Sequence, residues 1–225
     1  MEIMGKRVLE YIYDAAYDAS KFLNRQKPAD RDGTFYDPYD VTVHLLTPKV
    51  DKINQLYQRI RSIFSVENED DVLSRYMKMA EQTDADYVVR LTGDCLHMPI
   101  HMISRVIKTA VIKKADYASN IIHRTSPEGF DVEAMSIKML NFLNDETEED
   151  MHMREHVSLY LVQDILKRPE FYKKNFKIWH LFEHYDFSAV KTSLDIPDEF
   201  QISKRNMESV HRKKMEAKLS GFISE

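Results

Sequence analysis

Asp86-Tyr87-Val88-Val89-Arg90-Leu91-Thr92-Gly93-Asp94 is the stretch on which the fold turns. Residues 86–91 read as a strand, with Arg90 inside an otherwise mainly apolar run, and Thr92-Gly93-Asp94 then breaks it with turn chemistry. Both flanks are helical. Upstream, 70–81 carries Val72, Leu73, Tyr76, Met77 and Ala80 at helical spacing. Downstream, Pro99 opens a helix that runs to about residue 114 on Ile100, Ile103, Val106, Ile107, Ala110 and Val111. A strand bracketed by two amphipathic helices is the repeating unit of an α/β protein.

The alternation continues outward. A helix is predicted over 5–22, a long polar loop over 24–40 with Pro28, Gly33 and Pro38, a strand over 41–46, and a helix over 51–64. Beyond the central stretch, 116–122 and 131–135 read as strands. Helices follow at 137–143 and 154–167, extended segments at 176–182 and 190–194, and a final charged helix starts at Pro197. The expected architecture is a single α/β domain over 1–225, a mostly parallel sheet flanked by helices. Such sheets begin with a strand that becomes central. This chain begins with a predicted helix, so a leading strand is expected to be missing.

Composition narrows the class. Hydrophobic residues make up 43% and charged residues 31%, a globular balance. The net charge of −5 argues against non-specific nucleic-acid binding, which rests on a basic surface. No run of 18 apolar residues suggests a membrane span, and residues 1–6 lack the basic and apolar regions of a signal peptide. The single Cys95 excludes an internal disulfide and fits a reducing cytoplasm. Five glycines, at 5, 33, 93, 129 and 221, are too sparse for a G-x-G-x-x-G or Walker-type phosphate loop.

Ligands of open α/β sheets bind beyond the carboxyl ends of the strands. Asp94 follows the strand 86–91 and Asp195 follows the segment 190–194, so the pair could share a Mg²⁺ ion through hard carboxylate oxygens. Gly-Asp is also ordinary turn chemistry, and Asp195-Ile-Pro-Asp is also a capped helix start. Arg90, inside an apolar strand, must either reach an anion at the sheet's end or pair with a nearby carboxylate, and the rarity of unpaired buried charge favours the pair. Arg75 could be a solvated helix residue. In Arg124-Thr-Ser-Pro-Glu-Gly-Phe-Asp131-Val-Glu133 a polar turn precedes two acids that alternate along a strand and share one face. Arg154-Glu155-His156 opens a helix, where amides and dipole favour anions. His97/His101 and His152/His156 are four apart, a spacing that binds zinc on a helix. No H-E-x-x-H pattern accompanies either pair, and one cysteine cannot complete a Cys₂His₂ site, which argues against zinc. No signature ties Cys95 to a histidine as a nucleophile, and the twelve methionines fill core-like positions.

Taken in order, several of these motifs resemble the cytidylyltransferases that activate acidic sugars as CMP-sugars. These are the acylneuraminate and 3-deoxy-manno-octulosonate type, and in particular its spore-coat polysaccharide branch. The motifs are Glu69-Asp70-Asp71-Val-Leu-Ser-Arg75-Tyr, Asp86-Tyr-Val-Val-Arg-Leu-Thr-Gly-Asp94-Cys, Arg124-Thr, Gly129-Phe-Asp131-Val-Glu133, Arg154-Glu155-His156-Val and Leu194-Asp195-Ile-Pro-Asp198-Glu-Phe. Gly5-Lys6-Arg7-Val8-Leu9 resembles the start of the family's first helix, and 24–64 matches poorly. The resemblance implies a nucleotidyltransferase of the glycosyltransferase-A, Rossmann-like type. It also implies a reaction in which a sugar hydroxyl attacks the α-phosphate of CTP and pyrophosphate leaves. By the same resemblance Asp94 and Asp195 are the catalytic Mg²⁺ ligands. Arg75, Arg90, Thr92 and Gly93 serve the nucleotide, and Arg124, Asp131, Glu133, Glu155 and His156 line the sugar side. Family members are often homodimers, and 131–175 is the stretch expected to carry a partner surface. The family's glycine-containing, basic phosphate loop would end just before this chain starts, so weak CTP binding is expected of the chain taken literally. Two other functions stay open: a non-catalytic nucleotide-sugar-binding homologue, and a glycosyltransferase using a preformed nucleotide sugar.

Overall fold

The structure is a computed structural model that describes residues 2–26, 39–48, 63–66, 68–195 and 197–222. The chain opens with a hairpin, β1 (Glu2–Ile3) against β2 (Lys6–Arg7), turned by Met4 and Gly5 in left-handed conformations. Helix α1 (Val8–Asn24) therefore starts three residues later than the periodicity indicates. Among the described residues, β1 and β2 pair only with each other. At the far end of α1 the Asn24 side chain satisfies both backbone groups of Val41, at 3.0 and 2.9 Å. With its amide and carbonyl already paired, Val41 has no need of a ladder. The predicted strand 41–46 is accordingly displaced to β3 (Leu45–Pro48), parallel to β4 (Ile63–Val66). Most of the expected loop 24–40 and of the helix 51–64 lies outside the described residues; Ile63 and Phe64 belong to a strand.

The central region follows the sequence closely: α2 (Val72–Thr83), β5 (Tyr87–Arg90), α3 (Ile100–Lys113), β6 (Tyr117–Ser119), β7 (Glu133–Ser136) and α4 (Ile137–Glu146). The helix expected over 154–167 is instead two, α5 (Met151–Glu155) and α6 (Val157–Lys167), separated at His156, whose ψ of 61° is not helical. Then come α7 (Pro169–Asn175), β8 (Ile178–His180) and α8 (Pro197–Phe222). Residues 190–194 form no strand; Lys191 makes an isolated bridge to Glu128.

The main sheet has the order β5-β7-β6-β8. β5 and β6 are joined through α3 and run the same way, and β8 is parallel to β6. β7 is antiparallel to both of its neighbours, so the sheet is mixed, which corrects the expectation of a mostly parallel one. The reason is the link between β6 and β7. Residues 120–132 hold turns and no helix, and a chain returning without a crossover helix comes back antiparallel.

Period-two alternation gives the sheet two buried faces. Tyr87, Val89, Ala118 and Ala134 face a core with Ala19, Leu23, Met102, Ile103 and Val106 from α1 and α3. Val88, Tyr117 and Met135 face the opposite core with Leu73, Met139, Leu140, Leu143 and Leu161 from α2, α4 and α6. Each fully buried Val, Leu, Ile or Met among them stabilises the fold by about 1.5–3 kcal/mol. Asp71 caps α2, accepting from the Ser74 amide at 3.1 Å and the Ser74 hydroxyl at 2.6 Å, and Arg154 ties α5 to the same carboxylate at 3.0 Å. Burial acts to raise the Asp71 carboxyl, but these hydrogen bonds and the arginine charge outweigh it and hold it below the usual carboxylate range.

Gly129 fastens the 124–131 turn to the strandless segment before α8. Its φ is +97°, and a Cβ there would lie 2.5 Å from the Ser193 amide nitrogen and 2.9 Å from the Thr192 carbonyl carbon. The clamp is hydrogen-bonded as well: Glu128 donates to the Val190 carbonyl at 2.9 Å, and the Thr192 amide donates to the Glu128 carbonyl at 2.7 Å. Gly129→Ala combines a forbidden backbone with a main-chain clash, and we expect a loss of about 2–4 kcal/mol in urea unfolding. A loss below about 1 kcal/mol would show that the two segments separate freely.

Candidate active site

The carboxyl end of β5 organises the site. Beyond Arg90 the chain turns through Thr92-Gly93-Asp94, and the Asp94 carbonyl accepts from the amide of Leu194 at 3.1 Å. Asp195 is the next residue. The two acidic positions, a hundred residues apart in the chain, thus sit on hydrogen-bonded segments. Asp94 is half-buried and makes no ion pair among the described residues. Asp195 is exposed, and its carboxylate is paired with Lys191 at 2.6 Å, while Lys191 also meets Glu199 at 3.0 Å. The Asp195 amide donates to Glu199 at 2.7 Å, as at a helix start. The Ser193 hydroxyl also donates to Asp195 at 3.5 Å. An all-oxygen donor set on adjacent segments, one carboxylate with no ion pair among the described residues and the other paired with an exposed lysine, fits a hard divalent ion such as Mg²⁺.

Cys95 connects this corner to the 124–133 turn. Its thiol lies 2.9 Å from the Thr92 hydroxyl and 3.8 Å from Asp94 Oδ1. Burial, with Asp94 and Asp131 adding negative charge nearby, pushes the thiol up to about 12. It is a buried neutral group, not a nucleophile. Gly93 has no left-handed backbone, and its nearest obstacle to a Cβ is Leu9 at 3.9 Å, so glycine is not sterically required there. Thr92 serves the thiol.

Arg90 and Glu133 are directly opposite in the β5–β7 register. Arg90 Nη1 donates to Glu133 Oε2 at 2.8 Å, and the Tyr117 hydroxyl donates to Glu133 Oε1 at 2.6 Å. Glu133 is 0% exposed. Of the two options for Arg90, the structure has the buried pair. Glu133 is therefore a structural carboxylate and not a wall of any cleft, contrary to the place implied by the resemblance. Asp131, two residues earlier, emerges at the strand's start and is held by both Arg124 nitrogens, the longer contact at 2.9 Å. Tyr117 is driven well above the ordinary phenol range by burial and then by the Glu133 charge, so it stays a proton donor. Sequence reasoning missed Tyr117. Its place two residues diagonal from Glu133 depends on the pairing of β6 with β7, which no local pattern reveals.

A cleft of about 350 Å³ opens beyond the ends of β5 and β6, lined by Arg90, Arg124, Asp131, His152, His156 and Leu159 among others. Arg90 Nε is buried there with no hydrogen-bond partner. Glu155 and His156, expected at a helix start, sit instead at the α5–α6 junction, half exposed on the rim. Arg75 is buried and not solvated: it donates to the Glu69 carbonyl at 2.6 Å and holds the approach to α2, away from the cleft lining. His97 lies in a turn ahead of α3, so His97 and His101 do not share a helical face.

Comparison with known proteins bears on the fold. No family model matches the chain. An uncharacterized protein of Methanocaldococcus jannaschii is 28% identical over 144 residues, covering 55% of this chain and 57% of the relative; the chain thus spans a little over half the length of the curated relative it matches. Among solved structures, a cytidylyltransferase from Leptospira borgpetersenii superposes with a TM-score of 0.70 at 20% identity, covering 91% of this chain and 76% of that one. A CMP:2-keto-3-deoxy-manno-octonic acid synthetase complexed with CTP superposes at 0.55 with 11% identity, over 93% and 90% of the two chains. At these identities the likeness establishes a shared α/β fold. Among the described residues no helix is long and apolar enough to cross a membrane.

Two outcomes follow from the buried groups. Arg90→Met leaves Glu133 uncompensated and should cost about 3–5 kcal/mol in chemical denaturation, with Tyr117→Phe costing about 1–3 kcal/mol. A value under about 1 kcal/mol for Arg90→Met would mean that the pair is solvated. The native Cys95 thiol should resist iodoacetamide at pH 8 and should still be gaining reactivity above pH 10, past the point where an ordinary thiol is fully ionised. A plateau near pH 9 would contradict the raised thiol.

Proposed function

We propose that the chain is a CTP-dependent cytidylyltransferase that transfers CMP to a small sugar for surface-polysaccharide synthesis. The observation that carries this reading is the Leu194–Asp94 main-chain hydrogen bond, which brings the Asp94 and Asp195 segments together beyond the carboxyl end of β5. The fold shared with a cytidylyltransferase at a TM-score of 0.70, and with a synthetase solved with CTP, supports the choice of nucleotide. In the reaction a sugar hydroxyl oxygen forms a bond to the α-phosphorus of CTP and gives its proton to solvent, while the bond from that phosphorus to the bridging oxygen breaks and pyrophosphate departs. A Mg²⁺ ion held by Asp94 and Asp195 would supply Lewis-acid stabilisation of the phosphate charge. Asp195 would take that role by giving up its pairing with Lys191.

The remaining residues of the site bind and orient. Arg90 and the Arg124–Asp131 pair line the cleft beside the acidic corner, where guanidinium donors and a carboxylate acceptor suit sugar hydroxyls. Both arginines are already balanced by carboxylates. An acidic group on the sugar would meet Arg124 in exchange with Asp131. The reading includes a cytoplasmic setting and a homodimer formed through 131–175. The pairing of Asp195 with Lys191 also supports a second reading, a homologue that binds nucleotide sugar without turnover.

Protein, CTP, Mg²⁺ and a panel of acidic and neutral sugars, assayed for pyrophosphate, should give turnover with at least one sugar. Asp94→Ala and Asp195→Ala should each reduce it by at least about 10²-fold with the fold intact by circular dichroism. CTP binding by calorimetry without pyrophosphate from any sugar would select the second reading. Neither heat nor turnover would sink both.

A further inference from the structure

We infer that His152, Glu155 and His156 form a binding site for a divalent transition-metal ion of the zinc or cobalt class, on the rim of the cleft. This site is separate from the acidic corner at Asp94 and Asp195, and does not depend on the proposed activity.

Three observations carry it. The His156 amide still donates to the His152 carbonyl at 3.0 Å, so the two histidines are stacked one turn apart although the helix ends between them and α6. Their rings lie 4.7 Å apart, and Glu155 Oε2 lies 3.9 Å from His156 Nε2. One ligand atom from each of the three residues can be chosen so that all lie within 4.8 Å of one another. A tetrahedral ion with bonds of about 2.0–2.1 Å spans about 3.3 Å between donors, so closure needs side-chain shifts of up to about 1.5 Å. All three side chains are exposed and can make them. Local chelation within five residues needs no further folding of the chain.

The donor chemistry selects the ion. Two imidazoles and one carboxylate suit zinc, cobalt or nickel, whereas magnesium prefers oxygen alone. Three protein donors leave a fourth position open. His152 and His156 line the same cleft as Arg90 and Arg124, so the open position sits beside guanidinium hydrogen-bond donors, and the ion's own charge would draw a carboxylate, phosphate or ionised hydroxyl ligand. The spacing of His152 and His156 alone argues weakly for a metal. The structure adds a third donor and a cleft.

The test uses the full chain stripped of metal, titrated with Zn²⁺ by calorimetry and with Co²⁺ by visible absorption. One equivalent of Zn²⁺ should bind with Kd of about 20 µM or tighter, Co²⁺ should show the intense bands of a tetrahedral site, and excess Mg²⁺ should displace neither. His152→Ala and His156→Ala should each weaken Zn²⁺ by at least about 10-fold and Glu155→Gln by at least about 3-fold, with unchanged circular dichroism, while His97→Ala leaves binding unaltered. Weaker binding to the unaltered chain, or a stoichiometric site that survives any one of the three substitutions, would overturn the assignment.

Discussion

A carboxylate with no exposure to water organises this protein. Glu133 can lie in the sheet's interior only because Arg90 and Tyr117 approach it from the strands on either side and supply the hydrogen bonds that water would. The requirement links β5, β7 and β6 in one register. A slip of one residue in β7 would turn Glu133 into the apolar layer made by Ala19, Leu23 and Val106, where nothing is available to meet it. It also consumes part of the Arg90 guanidinium and leaves the buried Nε without a partner.

From that register the acidic corner follows. β7 is reached through the 124–131 turn, and Gly129 lets that turn press against Ser193. The same clamp holds 190–194 beside the loop after β5, so Leu194 can bond to Asp94. The pairing of Asp94 with Asp195 therefore rests on a glycine and on main-chain hydrogen bonds that belong to neither acid. The cleft inherits its charge from the same arrangement. Both of its arginines are matched by carboxylates, so it offers directional hydrogen bonds and little net attraction for anions.

Much of this was legible in the chain. The strand at 87–90, the helices on either side of it and the acid after Gly93 follow from period and turn chemistry, because those signals are local. The preference of Arg90 for a carboxylate was legible too, since an unpaired buried charge is so costly. Which carboxylate was not. Asp131 and Glu133 alternate on one strand and look equivalent, yet one sits at the open end with Arg124 and the other is sealed inside. The helix expected over 154–167 is interrupted at His156, while Arg154 turns inward to the Asp71 cap, and a periodicity count does not register where a long polar side chain finds its partner.

The sequence by itself determined the α/β class, the succession of strands and helices through the central region, and the residue types able to do chemistry. Each of those depends on neighbours within a turn or two. Tertiary structure alone decided that β7 runs against its neighbours, that Glu133 is structural while Asp131 is accessible, and that Asp94 meets the segment of Asp195. These depend on contacts between residues from 16 positions apart, as for Tyr117 and Glu133, to 100, as for Asp94 and Leu194, where strand pairing and desolvation, not local propensity, set the free energy.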